Sequence, residues 1–244
     1  MIFDNITLIS VDTYDPDRTI HALNQSSSNI KFADVKLITS TKCNFCKENT
    51  NNINIIYNDS INSFKDFNKF MIFDIYKYID TEFAMLIEWD GYILDHTKWD
   101  KRFLDYDYIG APWVTDPDDM GKKIYQLNDI VDLKQGVVGN SGFSIRSKNL
   151  MDFLGTSGIS RKHSRKQDMF ICFYNRRLLM KHGFTFAPVN IADDFSAEMK
   201  PYNGQFGWHG FHNKSTLPTS LIETNKWIKN NTLETKVSIR LTGR

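Results

Sequence analysis

The chain has 244 residues, which is long enough to bury a core and short enough that one α/β domain is expected. Its 30 lysine and arginine residues nearly balance its 29 aspartate and glutamate residues, so the charge gives no reason to expect nucleic acid as a partner. The chain shows neither a signal-peptide pattern nor an apolar run of roughly 18 residues, so we expect a cytoplasmic protein with no membrane span.

Residues 1–90 alternate predicted strands with predicted helices. Strands are predicted at 6–11, 35–39, 53–57 and 83–89. Asp15 and Pro16 are typical of a helix start, and Ser60 is the predicted N-cap of a second helix, with an apolar stripe from Ile61 to Tyr78. This order predicts a parallel α/β sheet that binds its ligands at the carboxyl ends of the strands.

The Cys-x-x-Cys pair, Cys43 and Cys46, has two interpretations. The spacing is that of a thioredoxin-type redox site, but such a site opens a helix, whereas the residues from Lys47 to Asn54 are polar. A structural zinc site would need a second pair of ligands at a suitable spacing, and the sequence has none. We favour a loop with two unpaired thiols.

The predicted strand 83–89 ends in two carboxylates and a glycine, Glu88, Asp90 and Gly91. Acids at the carboxyl end of a buried strand lie where open α/β sheets bind ligands. Carboxylates in such a turn can hold a hard divalent cation whose other positions are filled by phosphate oxygens and water. The pattern therefore predicts a site for a metal ion and a diphosphate.

The second half of the chain is less regular. A strand is predicted within 106–113, a glycine-rich turn precedes Phe143, and the basic segment 155–166 is either a solvated loop or an anion-contacting lid, of which we favour the loop. A helix is predicted at 167–182, with Phe170, Phe173, Tyr174 and Leu178 on its inner face. Further predictions are a strand at 184–188, a polar link at 192–198, an aromatic loop at 206–212 and a final helix around Trp227.

In this order, these segments resemble the glycosyltransferase A fold, and more closely a family of small glycosyltransferase-like domains of unknown function. The resemblance covers about residues 5–215. It is carried by residues 8–13 at the first strand, Glu88-Trp89-Asp90-Gly91, Tyr106 to Trp113, Gly139 to Arg146, Gln167-Asp168, and Phe206 to Gly210.

The resemblance implies a single-domain α/β fold with a mixed, mostly parallel sheet flanked by helices. It implies a catalytic domain at 1–220, with a nucleotide-binding half at 1–90 and an acceptor half at 91–220, followed by a C-terminal helix and tail at 221–244. The activity it implies is a metal-dependent, inverting transfer of a sugar from a nucleotide-diphosphate donor, a uridine diphosphate sugar, to the hydroxyl of a glycan or another acceptor.

The resemblance also assigns the metal ligands. Asp90 would bind a divalent cation, with Glu88 contacting the ribose or the metal through water, and His209 would be the C-terminal ligand. An imidazole beside oxygen ligands suits Mn²⁺ better than Mg²⁺. His209 can also be interpreted as a packing residue of an aromatic turn, and His212 is the next candidate ligand.

The remaining site residues follow from the same resemblance. Val11, Asp12 and Thr13 would line the nucleotide base, and the donor sugar or acceptor would be lined by Asn140, Ser141 and Gly142.

Asp168 matches the position of a catalytic base, although an acid at a helix start is also stabilised by the helix dipole alone. Many relatives carry Glu where this chain has Gln167, and Glu88 also departs from the expected Asp or Gln. Two alternatives therefore stay open. One is an inactive nucleotide- or glycan-binding module of the same fold, and the other is a metal-dependent nucleotidyltransferase or phosphodiesterase, for which the acids are sparse.

Overall fold

The computed structural model of the protein describes residues 1–113, 137–162, 164, 166–198 and 200–210. The predicted C-terminal helix and tail at 221–244, the candidate ligand His212 and the predicted boundary at 220 lie outside these residues. The division into domains therefore remains a prediction.

The central sheet has six strands within the described residues, in the spatial order β3-β2-β1-β4-β9-β6. Their bounds are β1 Ile2–Val11, β2 Lys31–Thr39, β3 Asn54–Tyr57, β4 Phe83–Ile87, β6 Tyr108–Gly110 and β9 Phe143–Ser147. The pairings among β1, β2, β3 and β4 are parallel, and β9 runs antiparallel to both β4 and β6. The prediction of a mixed, mostly parallel sheet is confirmed.

Two helices, α1 (Pro16–Ser27) and α2 (Phe64–Phe73), cover opposite faces of this sheet. The side chains of β1 alternate between the two faces of the sheet. Leu8 packs in a buried apolar cluster that includes residues of α1, and Ile9 packs in a second cluster that includes residues of α2. The chain moves outward from β1 to β2 and then back from β3 to β4. The order therefore reverses between β1 and β4, and open α/β sheets bind ligands at the carboxyl ends of such strands.

Two smaller sheets lie beyond the central one. One has the order β10-β11-β5, and the other pairs β7 with β8. Their bounds are β5 Gly91–Ile93, β7 Pro112–Trp113, β8 Val137–Val138, β10 Ser196–Ala197 and β11 Gly207–His209. β11 runs antiparallel to β5 with His209 opposite Gly91, and this pairing brings the end of the described chain to the strand that follows Asp90.

The other helices are α3 (Lys148–Thr156), α4 (Gln167–Met169), a π-helical turn (Phe170–Tyr174), α5 (Arg176–Lys181) and α6 (Val189–Phe195). Short 3-10 turns span Lys47–Thr50, Ile75–Tyr78, His96–Lys98 and Lys101–Leu104. None of the helices in the described part of the chain combines the length and apolar character that crossing a bilayer requires.

Helix α2 begins later than predicted. Ser63, not Ser60, is its N-cap, because Ser63 Oγ accepts a hydrogen bond from the Asp66 backbone nitrogen at 3.1 Å and donates to Asp66 Oδ2 at 2.7 Å. The bond from the Asp66 backbone nitrogen caps the start of the helix, and the bond between the two side chains holds Ser63 in place. The helix also ends at Phe73, and a separate 3-10 turn carries Ile75 and Tyr78.

The predicted helix 167–182 is divided by the π-helical turn. The wider turn shifts the angular positions of the residues that follow, so Tyr174 and Leu178 are each 41% exposed and Leu179 is buried in their place. The inner face predicted for this helix was therefore wrong at two positions. The predicted strand at 184–188 is reduced to a single bridge between Phe186 and Tyr108.

Helix α3 was not predicted, although the sequence contains its start signal. Ser147 Oγ accepts a hydrogen bond from the Leu150 backbone nitrogen at 3.1 Å, and Leu150, Met151 and Leu154 are buried. Serine before an apolar spacing of three and four residues is typical of a helix start.

Candidate functional site

The candidate site lies where β1 and β4 end. Ser10 Oγ donates a hydrogen bond to the Ile87 carbonyl at 2.6 Å, which fixes the end of β4 against β1. The chain then turns through Glu88 and Asp90 into β5. The Gly91 backbone nitrogen donates to the Glu88 carbonyl at 2.9 Å, and the Glu88 backbone nitrogen donates to the Gly142 carbonyl at 2.8 Å. The turn that carries both acids is therefore held by backbone hydrogen bonds on two sides.

Two glycines allow three segments to meet at this point. A Cβ atom on Gly91 would lie 2.2 Å from the Gly142 carbonyl oxygen, and one on Gly142 would lie 2.0 Å from His209 Nε2. Both distances are too short for any side chain. The acidic turn, the 139–142 loop and strand β11 consequently contact one another only because these two positions are glycine.

Glu88, Asp90 and His209 form a cluster that can hold a metal ion. His209 Nε2 lies 3.3 Å from Asp90 Oδ1, and one candidate ligand atom from each of the three residues lies within 4.8 Å of the other two. The Gly210 backbone nitrogen donates to the Asp90 carbonyl at 3.2 Å, and its φ of 103° explains a glycine directly after the histidine. Two carboxylates and one imidazole are a donor set that fits a divalent cation such as Mn²⁺ or Mg²⁺.

Glu198 holds the other side of the imidazole. Glu198 directly follows β10, which pairs with β11, and its Oε1 lies 3.1 Å from His209 Nδ1. A metal-binding histidine usually makes a hydrogen bond through its second ring nitrogen to a carboxylate or carbonyl group, which orients the ring. Glu198 supplies that contact and leaves Nε2 facing Asp90.

Without a metal, the two acids on either side of His209 favour its protonated form. Burial lowers the pKa of His209, but the charges and hydrogen bonds of Asp90 and Glu198 outweigh it, so its pKa lies well above the usual value. Burial and the charges of Asp90 and Asp168 raise the pKa of Glu88 to about 7, against the opposing effect of His209. The cluster therefore holds protons that a cation would displace.

Asp168 lies beside this cluster, in helix α4. Its Oδ1 accepts a hydrogen bond from the Met169 backbone nitrogen at 2.7 Å. Burial raises the pKa of Asp168, the hydrogen bond from Met169 lowers it, and the charge of Glu198 raises it. A carboxyl group with a raised pKa beside a cation site can act as a general base.

The three residues predicted to line the base lie at the end of β1, but Asp12 has a structural role there. Its Oδ1 accepts hydrogen bonds from the backbone nitrogens of Tyr14 and Asp15, at 2.8 and 2.9 Å, and its Oδ2 accepts one from Thr19 Oγ1 at 2.7 Å. These bonds fix the start of α1. Val11 is buried, and Thr13 Oγ1 donates to the Ile61 carbonyl at 3.1 Å.

The 139–142 loop contacts the cluster mainly through its backbone and Gly142. Asn140 is 1% exposed with a φ of 61°, and its Oδ1 accepts a hydrogen bond from the Gly142 backbone nitrogen at 3.1 Å. Its Nδ2 has no hydrogen-bond partner among the described residues. Ser141 is half-buried. The Asn140 side chain therefore supports the loop from within.

The structure thus brings Glu88, Asp90, Gly91, Gly142 and His209 into direct contact and places Asp168 beside them. Sequence reasoning missed Glu198, because its position in a polar link gave no local sign that a short strand would bring it to His209.

Residues 50–211 match the family described as "Protein of unknown function (DUF5672)", so the chain belongs to that family. This match confirms the resemblance to a family of unknown function. No curated protein matches the sequence.

Among solved structures, the chain is similar to the crystal structure of the apo-form glycosyltransferase GlyE in Streptococcus pneumoniae TIGR4, with 12% sequence identity and a TM-score of 0.46. The similarity covers 84% of this chain and 54% of the GlyE chain. This chain therefore spans about half the length of that solved structure.

Proposed function

We propose that the protein is a metal-dependent glycosyltransferase, which transfers a sugar with inversion from a uridine diphosphate sugar to an acceptor hydroxyl. The observation that carries this proposal is the contact between Asp90 and His209, at 3.3 Å, with Glu88 beside them at the carboxyl ends of β1 and β4. The motifs that resemble glycosyltransferase-like domains supply the reaction class.

Asp90, His209 and Glu88 would hold the cation, and Glu198 would orient the imidazole. Mn²⁺ is preferred to Mg²⁺, since a nitrogen ligand accompanies the oxygens. When bound, the cation would supply positive charge that stabilises the diphosphate leaving group.

Arg18 packs against the turn that carries the two acids. The Arg18 guanidinium lies 4.4 Å from the centre of the Trp89 ring, and Trp89 immediately precedes Asp90. Arg18 also pairs with Asp15 at 2.7 Å, which holds it in the first turns of α1. Arg18 is therefore fixed beside the turn that carries Glu88 and Asp90.

Asp168 would take the proton from the acceptor hydroxyl as the oxygen attacks the anomeric carbon of the donor. Its raised pKa makes it a stronger base than an exposed aspartate. The 139–142 loop would line the sugar, because it contacts both the acidic turn and His209.

Nucleotide binding with and without metal tests the proposal. Titration calorimetry with uridine diphosphate should give measurable affinity in Mn²⁺ and a large loss in EDTA, with guanosine and adenosine diphosphates as controls for the base. Equal affinity for uridine diphosphate in both buffers would contradict the metal-bridged site.

Hydrolysis of the donor distinguishes an enzyme from a binding module. Glycosyltransferases can release the sugar to water when no acceptor is present, so slow metal-dependent hydrolysis of a uridine diphosphate sugar is expected. Metal-dependent binding of uridine diphosphate, without hydrolysis or transfer for any donor sugar, would favour the inactive module.

A further inference from the structure

A buried guanidinium lies behind the candidate site. Arg146, on β9, has no exposed surface, and its NH1 group donates a hydrogen bond to the Met71 carbonyl at 3.2 Å. Its guanidinium also lies 5.5 Å from the centre of the Tyr108 ring. Among the described residues, no carboxylate forms an ion pair with it. A buried cation is costly without compensation, so its remaining contacts are under strong constraint.

Gln167 makes one of these contacts. Arg146 NH2 donates to Gln167 Oε1 at 2.7 Å, and because a guanidinium can only donate, the oxygen of the amide must face it. The oxygen and nitrogen of a glutamine amide are distinguished by their hydrogen bonds, and the contact with Arg146 identifies the Gln167 oxygen. The Gln167 Nε2 group is therefore directed to Glu88 Oε1, 3.4 Å away.

The backbone of Gln167 is also fixed. Its nitrogen donates a hydrogen bond to Asn68 Oδ1 at 2.9 Å, and Asn68 Nδ2 donates to the Phe64 carbonyl at 2.8 Å within α2. Gln167 and Asn68 are 1% and 2% exposed. The amide of Gln167 thus has little freedom to move away from Glu88.

Glu88 and Gln167 are the two positions where the sequence departs from the pattern it resembles, and in the structure they contact each other. A carboxylate at 88 can accept a hydrogen bond from an amide at 167, whereas a second carboxylate at 167 would oppose it with like charge. A neutral donor at 167 therefore complements the acid at 88.

We propose that Gln167 is a positioning residue, which links the buried Arg146 to Glu88 and holds the Glu88 carboxylate toward Asp90 and His209. The next residue, Asp168, presents the proposed base from the same helical turn, so one short element positions groups for both the metal and the acceptor. The part played by Asp168 rests on the proposed function. The part played by Gln167 rests only on the metal site of that function and not on its reaction.

A double-mutant cycle with Mn²⁺ alone tests this proposal, with no nucleotide and no turnover. Gln167→Met keeps the length of the side chain but cannot donate to Glu88, and it should weaken Mn²⁺ affinity about tenfold, since contacts that orient metal ligands typically contribute 10–100-fold. In a chain that also carries Glu88→Ala, the same substitution should change the affinity less than twofold, because the residue it acts on is absent. Affinity is measured by electron paramagnetic resonance of free Mn²⁺.

Equal losses in both backgrounds would overturn the proposal and leave Gln167 as a purely structural residue. If Gln167→Met fails to fold, Gln167→Glu replaces it, because a carboxylate still accepts from Arg146 but repels Glu88, and the loss must again depend on Glu88. Absence of Mn²⁺ binding by the unmodified chain would contradict the metal site of the proposed function. If the unmodified chain binds Mn²⁺ and the Gln167 substitution lowers the affinity equally with and without Glu88, only the positioning role of Gln167 is contradicted.

Discussion

His209 lies between two acids, and experiment can distinguish a role as a metal ligand from a role in packing. We expect His209→Ala to weaken uridine diphosphate binding in Mn²⁺ and to leave the weak binding in EDTA unchanged, because the ring acts through its Nε2 atom beside Asp90. Calorimetry in both buffers measures the difference. The control is His96→Ala, at a histidine on a 3-10 turn outside the cluster. Equal losses in the two buffers would contradict a ligand role.

Asp168 is the proposed base, and its amide variant preserves the shape of the side chain. Asp168→Asn should reduce turnover by about 10²–10⁴-fold, the usual effect of removing a general base, while the affinity for metal and nucleotide stays near that of the unmodified protein. Initial rates of sugar transfer and calorimetry provide the two measurements. A folded variant with near-normal transfer would show that Asp168 is an acid at a helix start without a catalytic role.

Among the elements of the site, the 139–142 loop can contact β11 because residue 142 is a glycine and has no side chain. Gly142→Ala would place a Cβ atom 2.0 Å from His209 Nε2, so the ring must move and Mn²⁺ affinity should fall about tenfold or more. The loss should appear in the absence of nucleotide, when Mn²⁺ alone is titrated.

Gly155→Ala is the matched control for this substitution. Its Cβ atom would lie 2.2 Å from the Tyr76 ring, so it should cost about 1–3 kcal/mol of stability by overpacking. Gly155 lies on α3, outside the metal cluster, so Mn²⁺ affinity should be kept. If the two variants lost affinity equally, the effect of Gly142→Ala would reflect general destabilisation.

The elements also explain which parts of the site the sequence could predict. Glu88, Asp90 and Gly91 follow an apolar run, and a strand followed by acids and a glycine is a local signal. Glu198 carries no such signal, because its position depends on two-residue β10 pairing with β11. The contact of Gln167 with Arg146 and the π-helical turn also depend on tertiary packing, which residue periodicity does not report.

For the whole molecule, the raised pKa values predict how stability depends on pH when no metal is bound. The pKa of Glu88 rises from 4.5 to about 7 on folding, so the folded state binds more protons than the unfolded chain between these values, and stability falls as pH rises through them. The raised pKa of His209 acts in the same direction. The stability that His209 contributes is complete below pH 6.5 and is lost as pH rises through the pKa of the folded state.

We therefore expect the metal-free protein to be less stable at about pH 8 than at about pH 5, by about 1–3 kcal/mol in urea unfolding. Glu88→Gln should flatten part of this dependence, because it removes one of the groups whose pKa is raised. In saturating Mn²⁺ the trend should reverse, since the cation binds the deprotonated ligands. Stability that rises with pH in EDTA would contradict the protonated cluster.

The pairing of His209 opposite Gly91 has a consequence for the order of folding. Glu88 and Asp90 follow a strand whose neighbour β1 lies early in the chain, whereas β11 is the last strand described. Contacts between distant parts of a chain close large loops and form slowly. Affinity for Mn²⁺ should therefore appear late in refolding, after the central sheet has formed, and a chain growing on the ribosome would acquire it only once β11 has emerged.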